Sequence, residues 1–289
     1  MTTVNDSYPK NASNELTDEQ LKELALQNYK QQEIRSHNFP TEIIDLPSKG
    51  ILYPENHPFA SGKIEMKYMT AREEDILTSQ NLIRQGVVLD KLFQSMIVTP
   101  ANYNDIIVGD KNAIMVAARI LGYGKDYEFE TTCTSCGRTS NHNIDLTSLS
   151  HKEVSTTEEC QMIAPNRFQL QLPNSKRTVI FRLLTHGIDA EIDKQLAQAK
   201  KTAKKDSVDN ELTTRLKRLI ISVDGNTDQG YINNFVDNEL FAVDSRVLRR
   251  YIKDVAPDVP FDFNFECPHC GHEEQIDFPI TTAFFWPGA

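Results

Sequence analysis

The stretch "FNFECPHCGHEEQIDF", Phe263 to Phe278, decides how the chain is read, because a looser version of it, "YEFETTCTSCGRTSNHNIDL", occupies Tyr127 to Leu146. In each copy two cysteines stand two residues apart, Cys133 with Cys136 and Cys267 with Cys270, and a glycine, Gly137 or Gly271, follows the second thiol. A backbone leaving a tight thiolate turn often needs a positive φ, which glycine adopts without the penalty that a Cβ imposes. Apolar and polar residues alternate before each pair ("YEFETT", "FDFNFE"), and the chain returns through "NIDL" or "QIDF". Each pair is therefore predicted to tip a β-hairpin. Two such hairpins make a zinc ribbon.

A closed structural zinc site takes four ligands, with thiolate sulfur at about 2.3 Å, and one hairpin offers only two. Neither copy can close a site alone. One zinc ion per chain, held by Cys133, Cys136, Cys267 and Cys270, would clamp together segments some 130 residues apart. Binding of this kind feeds into folding free energy, on the order of 10 kcal/mol or more. His269 and His272 lie within and just after the second pair. Four thiolates already suffice, so the imidazoles are expected to face solvent or to accept hydrogen bonds from the knuckle. Redox use of the same spacing expects the motif at a helix start after a strand. Here strands flank both sides. Cys160 has no partner motif and is expected to be dispensable for metal.

Working outward from the thiols, the segments before each hairpin echo one another. "KIEMKYMTAREEDILTSQ" places Ile64, Met66 and Tyr68 on one face of a strand, then opens a helix at Thr70 with Glu73 at capping-box spacing. "TVIFRLLTHGIDAEIDKQL" repeats the order, with a strand over Val179 to Leu184, Thr185, and an acid-opened helix. "LDKLFQSMIV" then resembles "TTRLKRLIISV", and "KNAIMVAARILGYG" resembles "SRVLRRYIKDV", each pair read as helices. The expected fold is therefore α+β, with duplicated strand-plus-helices halves closed by a four-thiolate zinc ribbon. The first half spans 43–150 and the second 151–289. Ahead of them, residues 1–16 read as a disordered lead, and 17–40 as an N-terminal helix, opened by Thr17 and Gln20, with a linker. "DLPSKGILYPENHPFASGK" after Ile44 reads as an ordered loop.

Composition narrows the function. At 289 residues, 39% hydrophobic and 25% charged, the chain is long and apolar enough to build a substantial core. No apolar run approaches the roughly 18 residues of a membrane span, and the opening residues lack a secretory pattern. Cytosol-like conditions, in which thiols stay reduced, are the expectation. The net charge of −10 disfavours a large phosphate-backbone contact, so nucleic acid is not an expected partner. "KKTAKK" (Lys200 to Lys205) reads as a solvated helix face. No nucleophile elbow, phosphate loop, metalloprotease helix or dinucleotide fingerprint occurs. The acidic runs at Glu73 to Asp75 and Asp189 to Asp193 open helices, where dipole complementation accounts for them. A closed four-thiolate zinc leaves no position for water. The chain is not expected to be an enzyme. The closing "ITTAFFWPGA" carries Phe284, Phe285 and the only tryptophan, Trp286. These rings are expected either to contact a partner or to fold back over the ribbon.

The segments "LPSKGILYP", "IEMKYMTAREEDILTSQNLI", "VVLDKL" and "CPHCGHEEQIDFPITTAFFWP" resemble the baseplate hub proteins of T-even-like contractile-tailed bacteriophages, over roughly residues 43–289. The resemblance implies a structural or assembly role at the tail baseplate hub, with other hub or tail proteins as partners, in the host bacterial cytoplasm. It leaves open whether the protein stays in the finished tail. The competing reading is a zinc-ribbon nucleic-acid regulator, which needs a basic ribbon face. The second knuckle is instead followed by Glu273, Glu274 and Asp277.

Overall fold

The computed structural model describes residues 39–202, 210–278 and 284–285. The expected lead and Thr17 helix lie outside the described residues, as does Trp286. Residues Pro40–Ala289 form one compact unit.

Strand β1 (Thr41–Asp45) pairs antiparallel with β2 (Lys63–Lys67). Ile64 and Met66 are buried as the period of two requires, but Tyr68, expected on the same face, lies beyond the strand end and is 38% exposed. Helix α1 (Ala71–Thr78) opens as expected at Thr70. Glu73 accepts the Thr70 backbone N–H at 3.0 Å, the Lys67 ammonium at 2.9 Å and the Ser95 hydroxyl at 2.6 Å. Ser79, in an extended conformation, ends α1 and starts α2 (Gln80–Gln85), and α3 (Val88–Met96) follows. Beyond α3 the chain does not stay helical: Ile97 forms an antiparallel bridge to Met66. Helix α4 (Val108–Tyr123) then leads into the hairpin β3 (Asp126–Thr132) and β4 (Thr139–Asp145).

The second part opens with two strands that helical and strand periodicity did not reveal, ahead of the expected one, which ends at Phe181 and not at Leu184. Strands β5 (Cys160–Ala164), β6 (Arg167–Gln171), β7 (Thr178–Phe181) and β8 (Ile220–Val223) form one antiparallel sheet in that order. Between β7 and β8 run α5 (His186–Thr202) and α6 (Glu211–Leu219). The segment "TTRLKRLIISV", read as one helix, therefore breaks at Leu219, and its last four residues return to β7. The short α7 (Gln229–Asn234), a π-helical turn over Phe235–Glu239, and α8 (Ala242–Val255) precede the hairpin β9 (Asp262–Glu266) and β10 (Glu273–Asp277).

One hydrophobic core runs through both parts, taking Phe93 and Ile114 from the first and Phe168, Phe181 and Leu248 from the second. Backbone joins hold the seam. Ile107 bridges Thr185, and the His186 N–H donates to the Ile106 carbonyl at 2.7 Å. The Asn112 amide donates to Asp258 at 2.6 Å. Since α4 and α8 each run directly into a knuckle hairpin, this shared core sets where the two hairpins meet.

Candidate metal centre

The two hairpins make the same turn. The Gly137 N–H donates to the Cys133 carbonyl at 3.0 Å and the Gly271 N–H to the Cys267 carbonyl at 2.9 Å. Cys133 and Cys267 in turn donate their N–H groups to Arg138 and His272, closing each loop onto its returning strand. Both glycines sit at φ 68°, the left-handed conformation expected after the second thiol.

Beneath the turns the hairpins pack through their aromatic faces. Phe129 meets Phe263 edge-on at 5.2 Å, and His142 tilts against Phe265 at 5.0 Å. A small apolar cluster of Phe265, Phe263 and Ile276 surrounds Cys133 and Cys267. Across the tips, the Thr134 hydroxyl donates to Glu274 at 2.7 Å. These contacts bring together the four expected thiols: Cys133 Sγ lies 3.8 Å from Cys270 Sγ, Cys136 Sγ lies 3.7 Å from Cys267 Sγ, and all four fall within 4.8 Å of one another. A disulfide needs about 2.05 Å, so neither cross-pair is one. A tetrahedron of thiolates about 2.3 Å from a central ion has edges of about 3.8 Å. The sulfur positions therefore fit a four-thiolate ion.

The electrostatics agree with that chemistry. Burial opposes charge on Cys267, but N–H groups of His269 and Cys270 and the neighbouring thiols hold it down to about 6. Cys270 receives an N–H from His272, yet desolvation and the sulfurs of Cys267, Cys136 and Cys133 push it up to about 12. Four thiols this close share negative charge only at high cost, and a divalent cation removes that cost. Neither histidine enters the cluster. His272 Nε2 lies 3.3 Å from the Thr134 hydroxyl and 3.7 Å from Glu274, and His269 is exposed. Cys160 is fully buried in β5, opposite Leu170, and burial alone pushes its thiol up to about 11. It is a core residue remote from the cluster.

A family model described as T4 bacteriophage base plate protein matches residues 40–286. The chain belongs to that family. A base plate protein is a component of the virion tail with a structural role and contacts to other tail proteins. No curated protein and no solved structure matches the chain. Among the described residues of this base plate protein, no helix is long and apolar enough to cross a membrane.

The aromatic tail is placed in part. Phe284 is buried edge-on against Tyr127 of β3 at 5.0 Å, and Phe285 is buried against Phe93 of α3 at 6.1 Å. In this arrangement the two rings fold back and tie the first hairpin to the core, and while so packed they present no surface to a partner. Sequence reasoning missed a second aromatic tie. Phe278 packs against Tyr127, Phe129 and Phe261, and its only signal was its place at the end of the alternating run.

Proposed function

We propose that this base plate protein serves at the tail hub, as a structural part or as a factor that assembles it in the host cytoplasm, and that one zinc ion per chain staples its two knuckles. The observation that carries the reading is the gathering of four sulfurs from two distant hairpins within 4.8 Å of one another, with two cross-hairpin pairs at 3.7 and 3.8 Å, close to a tetrahedral edge. Cys133, Cys136, Cys267 and Cys270 would hold the ion. It would supply folding energy and a rigid ribbon, with no open coordination position. The acidic outer face of the second hairpin, with Glu266, Glu273 and Asp277 exposed, favours this over a nucleic-acid regulator, since phosphate would be repelled. Metal analysis of the purified chain should return about one zinc, lost in Cys267→Ser and kept in Cys160→Ser. A stoichiometry near two, or full zinc in Cys267→Ser, would refute the shared ion. Detection of the chain in purified tails then separates resident part from departing factor.

We also infer that the two parts descend from a duplication. In each, a strand is followed by helix, a short return to that strand (Ile97 on β2, β8 on β7), a longer helix, and a Cys-x-x-Cys-Gly hairpin. One superposition should carry Cys133 onto Cys267 and Ile97 onto Ile220 together. Failure to match both would leave the knuckles as the only repeat.

A further inference from the structure

Helix α8 carries a basic stripe on its exposed side, bordered by exposed Asp254. Asp244, Ser245, Leu248, Tyr251 and Val255 are buried, whereas Arg246, Arg249, Arg250 and Lys253 are exposed. At 3.6 residues per turn the four cations share one face. Val243, about half exposed in the first turn, borders that face. Among the described residues none of the four makes an ion pair, although Arg177, Arg215, Lys217 and Arg218 each hold a carboxylate. Arg250 instead lies over the Tyr251 ring, 5.2 Å from its centroid. Exposed cations without an ion pair among the described residues occur elsewhere, at Arg84 and Arg138; what α8 adds is four of them on one helix face.

The outer face of the β9–β10 hairpin is its complement. The register sets Glu266 opposite Glu273 and Asp262 opposite Asp277. Like charges directly opposite destabilise a strand pair. Among the described residues no cation pairs with any of these four carboxylates; Asp262 accepts a hydrogen bond from the Gln275 amide at 2.5 Å. The hairpin therefore carries a repulsion that a row of cations would relieve.

We propose that α8 of one copy docks on the outer β9–β10 face of a second copy, cations against carboxylates, with Val243 as an apolar contact at one end. The two surfaces differ, so the contact is head-to-tail: it closes into a ring or continues as a filament, instead of stopping at a twofold dimer. Overall repulsion between acidic copies is screened beyond roughly 10 Å at about 0.1 M salt, while contacts at the interface persist. This inference rests on the β9–β10 hairpin being closed by the proposed ion, so association is measured on the zinc-loaded chain and zinc content is read separately.

Sedimentation of the full chain at about 0.1 M salt should show species larger than a monomer, and about 1 M salt, which screens beyond roughly 3 Å, should dissociate them. Arg249→Glu with Arg250→Glu, or Glu266→Lys with Glu273→Lys, should each weaken association at least about tenfold, a loss of about 1.4 kcal/mol. Mixing the two variants should restore it, because the reversed helix then faces a reversed hairpin. If the first arginine pair fails to fold, Arg246→Glu with Lys253→Glu reads the same face. A wild-type monomer at every concentration and salt, association untouched by both reversals, or folded variants that do not re-associate on mixing would each overturn the proposal. So would retention on duplex DNA through the helix face without self-association.

Discussion

Gly109 has no room for a side chain. A Cβ there would stand 1.8 Å from the Pro257 carbonyl oxygen, so helix α4 and the segment after α8 would have to part. Both clashing groups are backbone, and no rotamer can relieve them. Gly109→Ala is expected to destabilise by about 2–3 kcal/mol, read as a lower urea midpoint. Protonation gives a second residue-scale expectation. Burial lowers His186, with Lys111 beside it and Asp90 and Asp189 opposing; burial likewise lowers His151, near Lys49. The unfolded imidazoles take up protons near 6.5 while the folded ones stay neutral to lower pH. Stability present above about 6.5 is therefore lost as pH falls through the folded values. Denaturant midpoints measured from pH 7.5 downward should drop, and His186→Gln should flatten the drop. Asp110, raised by burial, works in the opposite sense.

Among the elements, α1 depends most on one side chain. Glu73 is buried and takes hydrogen bonds from Lys67, Ser95 and Thr70, which hold its carboxyl at about 2 despite burial. Glu73→Ala removes a helix cap and one end of a buried ion pair together. A loss of about 3 kcal/mol or more is expected by thermal unfolding. That helix start was legible because a capping box is local chemistry. The knuckles were legible for the same reason: Cys-x-x-Cys-Gly specifies its own turn. The strands β1, β5, β6 and β8 were not. "IISV" is apolar and β-branched at the end of a helical pattern, and four residues of that kind fit either state. What decides it is β7, some 40 residues earlier, to which Val223 pairs at Val179. Tyr68 failed in the opposite way, since alternation cannot show where a strand stops.

At the scale of the whole molecule, the ribbon and the body should separate energetically. The main core is built from aliphatic and aromatic side chains and does not rely on the thiols, whereas the ribbon's own cluster is small. Chelation is therefore expected to leave the body folded and release the hairpins. Hydrogen exchange should speed up in β3, β4, β9 and β10 while α4 and β7 stay protected. Uniform loss of protection would mean that the metal supports the whole fold. That four cysteines converge was legible from counting ligands. That Phe284 and Phe285 join the core was only one of two readings, because a run of apolar residues does not name the surface that covers it.

Closure of the ribbon also has a timetable. Cys136 leaves the ribosome 131 residues before Cys267 does, with Cys133 just ahead of it, an interval of roughly 7–26 s at ordinary elongation rates. Throughout it the first knuckle has half a ligand set, and Tyr127 lacks the ring of Phe284 that later covers it. A nascent chain thus waits with two uncapped thiols beside an open aromatic patch. Oxidative stress during synthesis should consequently trap Cys133 and Cys136 in damaged young chains, while sparing the same residues in chains already completed and folded.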